Sequence, residues 1–533
     1  MPSAASHLFL ATVVFWTTAL PSIAAAQTAE LSDLLDKHRL AGVSIVTRCG
    51  DNLVTEEHGG FRDLDTRLKV DSATAFRVAS ISKAVVALAA AKLAEQGTID
   101  PDAPIGKYLK SPPVHPALPT ADITLRHLLS HTSGLRDGAG YGTFLAATYA
   151  AIPAVPLLSA VLDSNGAYYT ADMWDGAGPG SAFHYANINF GVAATVLEAA
   201  TGWRFDMLME NLLFGPFGID AGFQLQDLDD PTNLAALYRQ QGGEWVPQAD
   251  HLQGELPPVR DWTGYLPGTN AVGFAPQGGL RTSARSLSLL ARLWSHGSAP
   301  GADGNPLTFL GPAARAQMSS PQWSYDGSNG DNGHGLFNQW ASGLHLAASG
   351  LGEDDVVPGL GISPFIGHPG EAYGLVSDAY ATPDGAWNMV FLTNGKWDGY
   401  APADGSAFYA VEQDVFARLK DDALQCLAQQ VLASPAMQWS VVAGTHVGDT
   451  LVRIQPSQPV RGTLPCQLYT ADGRLIFDGD VEADGRPGRK KPEAISPAPT
   501  VHISVPPLGR GIHFGTVECG DKPPARFIFL VTG

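Results

Sequence analysis

Apolar and polar positions follow two different rhythms along the chain, and the change falls near residue 430. Before it, β-type runs at residues 42–47 and 53–55 predict a hairpin, and the apolar run at residues 387–392 predicts a buried strand. Helical periods fill the sequence between these two ends. Strands at both ends with helices between them indicate an α+β domain, residues 27–425, whose sheet is completed by late strands.

Several segments of this first part have the composition of helices. The strongest is residues 80–96, where Ala, Val, Leu and Lys dominate and Gly97 follows as a stop. The predicted helices cover residues 80–96, 123–131, 188–200, 283–294 and 408–427.

Beyond residue 430 the helical period disappears. Short β-type runs alternate with turns rich in Gly, Pro and Asp, at residues 450–454, 466–469, 501–505 and 527–531. We therefore expect residues 430–533 to form a small C-terminal all-β sandwich, an accessory domain without a catalytic constellation of its own.

The N-terminus has the pattern of an export signal. Residues 8–20 are almost entirely apolar, and Ala24, Ala25 and Ala26 precede Gln27 as a small-residue cleavage site would, although the first ten residues carry no Lys or Arg. A run of about 13 apolar residues is short for a membrane span. Residues 1–26 therefore predict a cleaved signal peptide and a secreted or periplasmic protein, with no stable membrane insertion after cleavage.

Charge and cysteine content narrow the class of protein. The 533 residues carry 33 basic and 52 acidic side chains, a net charge of −19, and the one basic cluster, residues 486–491, lies in a Pro/Gly-rich stretch. Nucleic-acid binding would need a basic patch, so we exclude it.

Four cysteines permit two disulfides in an oxidising compartment. Cys466 and Cys519 are the favoured pair because both lie in the C-terminal part.

A candidate nucleophile stands where the strongest helix begins. Ser80 and Lys83 are one helical turn apart, so their hydroxyl and amine share a face within hydrogen-bonding reach. The positive end of the helix dipole favours an alkoxide on Ser80. Lys83 can act as a base only if its surroundings lower its pKa from about 10.4. A Ser-x-x-Lys tetrapeptide alone is weak evidence, because many helices pair a capping Ser with a surface Lys.

A second element is the tripeptide YAN at residues 185–187, which follows a Pro-Gly turn and precedes a predicted helix. The Tyr185 hydroxyl could relay a proton if a nearby ammonium stabilises its phenolate. Asn187, two residues on, could hydrogen-bond Lys83 or a substrate carbonyl.

A third element is HPGE at residues 368–371. Gly370 would let a substrate approach the edge of a strand. The backbone N–H of Glu371, together with that of Ser80, could then form an oxyanion hole.

Taken together, these motifs occur in the order seen in the β-lactamase-related serine hydrolases, which include class C β-lactamases, DD-peptidases, D-aminopeptidases and β-lactamase-fold esterases. The matching segments are FRVASISK at 76–83, LLSHTSGL at 128–135, YAN at 185–187, QGGLRTSA at 277–284 and HPG at 368–370. The resemblance covers roughly residues 30–425. It implies an antiparallel sheet flanked by helices beside a mostly helical subdomain, with the site in the cleft between them.

The resemblance also implies roles. Ser80 would attack an acyl carbonyl, Lys83 and Tyr185 would share the general-base and general-acid work, and water would release the product from an acyl-enzyme. Which of the two takes the first proton stays open. Asn187 would orient Lys83, and His368 would line the cleft. We expect no metal and no cofactor.

One departure from the family bears on the substrate. Many relatives hold a substrate carboxylate with Lys where this chain has His368, and a neutral His is a weaker anchor for an anion. Glu371 would add negative charge nearby and could attract an amine. We therefore expect a small ester, amide or peptide substrate in preference to a β-lactam.

Other functions remain as alternatives. The chain could act on β-lactams or cell-wall peptides, transfer acyl groups to an acceptor other than water, or be a penicillin-recognising binding protein without turnover. His127 and His131 have zinc-ligand spacing, but the glutamate of the H-E-x-x-H pattern and a third ligand are missing. We interpret them as histidines that support the following turn.

Overall fold

The computed structural model describes residues 23–150, 155–348, 353–357, 364–399 and 402–433, and seven strands farther along the chain. Most of the predicted signal peptide, residues 1–22, lies outside the described residues. The described helices are α1 Ile23–His38, α2 Ile81–Glu95, α3 Leu125–Leu129, α4 Ala139–Ala150, α5 Ser159–Leu162, α6 Asn187–Thr201, α7 Phe205–Met209, α8 Gly215–Phe217, α9 Ala284–His296, α10 Pro312–Ser319 and α11 Ala410–Ala433.

The strands are also numbered in chain order. Up to residue 393 they are β1 Gly42–Cys49, β2 Asn52–Asp63, β3 Leu68–Lys69, β4 Phe76–Arg77, β5 Ala221–Gly222, β6 Leu237–Gln241, β7 Glu244–Ala249, β8 Arg281–Thr282, β9 Ser298–Pro300, β10 Pro306–Thr308, β11 Trp323–Ser324, β12 Gln339–Trp340, β13 His345–Ala347, β14 Phe365–Ala372, β15 Leu375–Ala381 and β16 Trp387–Thr393.

A nine-stranded antiparallel sheet organises the first domain, in the order β11-β12-β13-β14-β15-β16-β1-β2-β3. The N-terminal hairpin β1–β2 pairs with β16, so that Ile45 lies opposite Phe391. The chain therefore returns to its own beginning to complete the sheet, which confirms the predicted α+β fold.

Both faces of the sheet are covered, because side chains alternate between them along each strand. Val46 and Val390 pack on one face with α2, α6 and α9. Ile45 and Phe391 pack on the other face with α1 and α11. The inner strands are consequently apolar on both sides, and β1 is buried along its whole length.

Helix α2 is the central helix of the first face. Eleven of its fifteen residues are buried, as expected for a helix that is apolar all round. Helices α3 to α8 follow one another with no strand between them in the part of the chain that the structure describes. They supply the mostly helical subdomain that the sequence predicts.

The predicted helices are confirmed, with one that is clearly shorter than expected. The segment predicted as a helix at residues 123–131 is helical only over Leu125–Leu129. Thr124 accepts a hydrogen bond from the backbone N–H of His127 and caps its start. His131, with φ +56°, adopts a left-handed conformation that cannot continue a helix.

After residue 433 the described segments are all β-strands, and a separate sandwich domain there stays a prediction. One sheet has the order β17-β18-β21 and the other β20-β19-β22-β23, and each is antiparallel. The strands are β17 Ser440–His446, β18 Asp449–Gln455, β19 Thr463–Thr470, β20 Leu475–Glu482, β21 Val501–Val505, β22 Gly511–Cys519 and β23 Ala525–Val531.

The structure shows a disulfide that the sequence did not single out. Cys49 at the end of β1 is bonded to Cys426 in α11, 377 residues away. The bond fixes the last helix of the domain to the central sheet. Cys466 and Cys519 are register partners in β19 and β22, and a bond between them stays a prediction.

No helix among the described residues is both long and apolar enough to span a bilayer.

Two acids are buried where α11 lies against the sheet. Asp378 in β15 and Glu412 in α11 are almost fully buried and face each other. The Glu412 carboxyl also accepts a hydrogen bond from the backbone N–H of Tyr409, 2.5 Å away. Burial, and for Asp378 also the neighbouring Glu412, raises the pKa of both groups above the ordinary carboxyl range. The folded protein therefore binds more protons than the unfolded chain, and its stability falls as the pH rises above that range.

Replacing Glu412 with Gln should reduce this pH dependence. The variant removes one acid of the pair and offers Asp378 an amide donor. Relative to wild type, we expect Glu412→Gln to gain about 1 kcal/mol or more in unfolding free energy at about pH 9, and little at about pH 5. Denaturant unfolding at both pH values checks this. Asp421→Asn, which removes an exposed acid from the same helix, is the matched control, and an equal gain in both variants would contradict the account.

Candidate active site

Ser80 stands at the N-cap of α2, directly after a strained residue. Ala79 has φ +46°, a backbone conformation that costs a residue other than glycine about 1–3 kcal/mol. The Ser82 hydroxyl donates to the Ala79 carbonyl oxygen at 2.6 Å and accepts from the Leu280 N–H at 3.1 Å. The two hydrogen bonds of Ser82 therefore stabilise the turn that precedes the half-buried Ser80.

The strand before this turn is held by a buried ion cluster. Arg77 donates two hydrogen bonds of 3.0 Å to Asp250, and Arg281 donates two of 3.1 and 2.7 Å to the same carboxylate. Burial opposes ionisation of Asp250, but the two guanidinium groups outweigh it and hold its pKa well below its usual range. Arg77 and Arg281 are register partners in β4 and β8, so the cluster fixes the backbone just ahead of Ser80.

Lys83 is fully buried one turn into α2 and has three hydrogen-bond partners. Its Nζ lies 3.0 Å from Ser80 Oγ, 2.8 Å from Asn187 Oδ1 and 2.7 Å from the Gln277 carbonyl oxygen. Burial lowers the pKa of Lys83 to about 7, against the opposing effect of the Asp137 carboxylate. Near neutral pH a large fraction of this lysine is therefore uncharged.

Tyr185 completes the contacts of Ser80. Its hydroxyl is hydrogen-bonded to Ser80, and burial raises its pKa above the ordinary value in spite of that bond. The ring stacks on Phe337, with centroids 5.2 Å apart, and packs against His131 at 4.4 Å. Lys83 Nζ lies 4.9 Å from the ring centroid.

Asn187 is the first residue of α6 and is held from two sides. Its side-chain oxygen accepts from Lys83, while its Nδ2 donates to Asp137 at 2.8 Å. Asp137 also accepts from the backbone N–H groups of Asn187 and Ile188, at 2.8 and 2.9 Å. The carboxylate thus caps the helix that carries Asn187.

His131 supports the segment that carries Tyr185. Its Nδ1 accepts from the Ala186 N–H at 3.1 Å and lies 3.2 Å from Asn189 Nδ2. Because the backbone N–H can only donate, this nitrogen carries no proton and the ring is engaged with α6. His127 Nδ1 instead accepts from the Thr124 N–H. These bonds reach the segments before α3 and before α6, rather than the turn after α3 that the sequence predicts both histidines to support.

His368 lies on β14 and is fully buried. Its ring centroid is 6.1 Å from that of Tyr185 and 5.2 Å from that of Trp340. Nδ1 lies 2.5 Å from the Pro369 carbonyl oxygen. Since a carbonyl only accepts, Nδ1 must carry the proton. Burial, with Lys83 nearby, lowers the pKa of His368 well below its ordinary value. The ring is neutral, and its Nε2 is an acceptor.

Gly370 lies against the turn before Ser80, and Glu371 follows it on β14. A Cβ on Gly370 would overlap Ser377 Oγ and lie 2.6 Å from the Val78 carbonyl oxygen. The absent side chain therefore makes room for the turn before Ser80 rather than for a substrate. The Glu371 carboxylate accepts a hydrogen bond from the Tyr409 hydroxyl, which directs its charge toward α11.

Sequence reasoning missed three groups that complete this site: Asp137, His131 as a support for Tyr185, and the backbone carbonyl of Gln277. The first two lie within or just after the LLSHTSGL segment, whose match to the family was the available signal. The Gln277 carbonyl had no side-chain signal, because any residue there could offer the same oxygen.

Comparisons with known proteins identify the family. The family described as Beta-lactamase matches residues 28–407. The chain therefore belongs to the Beta-lactamase family.

Curated relatives match over parts of their length. "Esterase EstB" of Burkholderia gladioli is 31% identical over 44% of this chain and 60% of its own. "Putative penicillin-binding protein PbpX" of Bacillus subtilis is 26% identical over 42% of this chain and 53% of its own. A "D-aminopeptidase" of Cereibacter sphaeroides is 29% identical over 37% of this chain and 35% of its own. The match thus spans between about a third and three fifths of these relatives.

Solved structures share the fold. "EstCE1, a hydrolase with promiscuous acyltransferase activity" superposes with a TM-score of 0.51 at 20% identity, covering 73% of this chain and 97% of that one. The "octameric penicillin-binding protein homologue from Pyrococcus abyssi" gives 0.53 at 15% identity, covering 95% and 100%. At these identities the likeness shows the β-lactamase/transpeptidase-like fold.

Replacing Gly370 with Ala should disturb the turn that presents Ser80. The added Cβ must displace the Val78 backbone or Ser377, so we expect a loss of about 1–3 kcal/mol in unfolding free energy and a lower turnover number. Denaturant unfolding and ester hydrolysis measure the two effects. Gly176→Ala is the control, because a Cβ there meets nothing within 4 Å. Equal stability of the two variants would contradict the packing argument.

Proposed function

We propose that this chain is a serine hydrolase that cleaves an ester or amide bond through an acyl-enzyme on Ser80. The observation that carries the proposal is the contact of one hydroxyl with two proton-handling groups: Ser80 Oγ lies 3.0 Å from Lys83 Nζ and is hydrogen-bonded to Tyr185. A hydroxyl nucleophile with a base and an acid within reach is what acyl transfer requires.

The partners of Lys83 support its role as the base. Asn187 Oδ1 and the Gln277 carbonyl oxygen can only accept hydrogen bonds. A neutral amine has two N–H groups and one lone pair. The two carbonyl oxygens engage both N–H groups, which leaves the lone pair for the Ser80 hydroxyl. Lys83 can then take the proton as Ser80 Oγ attacks the acyl carbon.

Tyr185 is suited to the acid role. Because burial raises its pKa, the phenol keeps its proton near neutral pH and can give it to the departing alkoxide or amine. The proton that Lys83 took from Ser80 then restores the phenol. Water repeats the same sequence on the ester of Ser80, and the free acid leaves with Ser80 regenerated.

We assign the oxyanion hole to the backbone N–H groups of Ser80 and Glu371. Ser80 stands at the start of α2, where backbone N–H groups have no acceptor within the helix. The close approach of Gly370 to Val78 brings β14 against the nucleophile's turn, which supports a donor from that strand. Two such donors would stabilise the negative charge of the tetrahedral intermediate.

The environment of His368 favours an ester or amide over an anionic β-lactam. A buried neutral ring whose free nitrogen is an acceptor offers no positive charge to a substrate carboxylate. The relatives named esterase and D-aminopeptidase are consistent with this preference. The penicillin-binding relatives keep β-lactams and cell-wall peptides as the alternative substrates.

Substrate assays with a Ser80→Ala control test the proposal. Mature protein should hydrolyse a short-chain nitrophenyl ester or a D-alanyl amide faster than a chromogenic cephalosporin. The Ala variant should lose at least about a thousandfold in rate, because it lacks the nucleophile. Dominant cephalosporin turnover would overturn the substrate preference. No turnover, together with no labelling of Ser80 by a fluorophosphonate, would favour a binding protein instead.

We also propose that the protein is exported, on the pattern of residues 8–26. The disulfide between Cys49 and Cys426 supports an oxidising compartment. Protein with its N-terminus at Gln27 in the medium or periplasm would agree with this proposal, and a chain that keeps Met1 and stays in the cytoplasm would contradict it.

A further inference from the structure

We propose that Asp137 is a positioning residue that fixes the orientation of the Asn187 amide, and through it the direction of the Lys83 lone pair. The inference rests on the proposed hydrolase function and extends it to a residue that never needs to touch the substrate.

Asp137 makes an unusual set of contacts for a helix cap. Its Oδ2 accepts from both the backbone N–H and the Nδ2 of Asn187, each at 2.8 Å, and its Oδ1 accepts from the Ile188 N–H at 2.9 Å. A capping carboxylate needs only the backbone donors. The third bond reaches the side chain that contacts Lys83.

That third bond decides which end of the Asn187 amide faces Lys83. A carboxylate has no proton to donate, so it binds the Nδ2 group and repels the Oδ1 atom. Rotating the amide by half a turn would bring Oδ1 against Asp137 and two N–H groups against the Lys83 amine. Asp137 therefore keeps Oδ1 on Lys83, 2.8 Å from Nζ.

The orientation of the amide matters because Lys83 can accept the Ser80 proton only when both of its N–H groups point away from Ser80. With Asn187 Oδ1 and the Gln277 carbonyl oxygen as fixed acceptors, the lone pair of the neutral amine is directed to Ser80. Without the Asn187 acceptor, one N–H is released and can turn toward Ser80 Oγ. The lysine would then donate to the nucleophile instead of accepting its proton.

Asp137 also acts on Lys83 through charge. The polar and titratable groups that face or influence the lysine are Ser80, Asp137, Tyr185, Asn187, Gln277, His131 and His368. Burial keeps the two histidines and the tyrosine neutral near pH 7. Asp137 is the carboxylate of this set, and it favours the ammonium form of Lys83. Removing its charge should shift the acid limb of the pH–rate profile to lower pH.

The test compares Asp137→Asn with Asp172→Asn in the full-length enzyme. Asp172 is the matched control: its carboxylate accepts from the Ala139 N–H at 2.9 Å at the start of the neighbouring α4. For Asp137→Asn we expect the kcat of ester hydrolysis to fall at least about tenfold, KM to stay within about twofold, and the acid limb to move to lower pH. Asp172→Asn should match wild type in all three.

Thermal unfolding and fluorophosphonate labelling of Ser80 separate the outcomes. A lower kcat in Asp137→Asn with an unmoved acid limb, accompanied by a lower Tm, would show a structural cap and overturn the inference. Equal kinetics in the two variants would also overturn it. If the wild-type enzyme is labelled at Ser80 and hydrolyses the ester, both of these results overturn only the role of Asp137 and leave the proposed function in place. Wild-type protein that neither labels nor turns over would overturn the proposed function, and the inference with it.

Discussion

The burial of one amine among carbonyl oxygens is the constraint on which the rest of this structure depends. Lys83 is inside the protein and forms no ion pair with any residue that the structure describes. Its partners are a serine hydroxyl, an amide oxygen and a backbone carbonyl. A buried ammonium is costly, so the site favours the neutral amine, which is the form a general base requires. The large core around α2 keeps this amine away from water.

The surrounding fold supplies the parts of the site from separate stretches of the chain. Helix α2 carries Ser80 and Lys83, the start of α6 carries Asn187, and strand β14 lies against the turn before α2. The turn itself is strained at Ala79, and the Asp250 cluster with Ser82 holds it in place. The second face of the sheet, which includes Phe365 of β14, is covered by α1 and α11, and the disulfide bonds α11 to β1.

Much of this arrangement could be predicted from the sequence. Local patterns sufficed for α2 and α6, since each has a long apolar stretch followed by a glycine, but the sequence did not predict α1 or α4. They failed at residues 123–131, where a left-handed His131 ends the helix early. Ser80, Lys83, Tyr185 and Asn187 could be predicted from their joint order, and the structure brings them together.

What could not be predicted depends on contacts between distant residues. The direction of the Glu371 carboxylate follows from its hydrogen bond with Tyr409, which packs on the face of the sheet that α11 covers. Position 370 needs a glycine because the Val78 carbonyl oxygen lies beside it, and Val78 is far away in the sequence. The disulfide partner of Cys49 is 377 residues away, and spacing along the sequence carries no information about such a pair.

The most direct test of this account is the protonation state of Lys83 itself. Protein labelled with carbon-13 at the lysine Cε can be titrated by NMR, and comparison with a Lys83→Arg variant assigns the resonance. The account predicts that the Lys83 signal titrates near pH 7, in agreement with a pKa lowered by burial to about 7. A signal that titrates only near the ordinary lysine value of about 10.4 would show an ammonium at neutral pH, and would contradict the assignment of Lys83 as the general base.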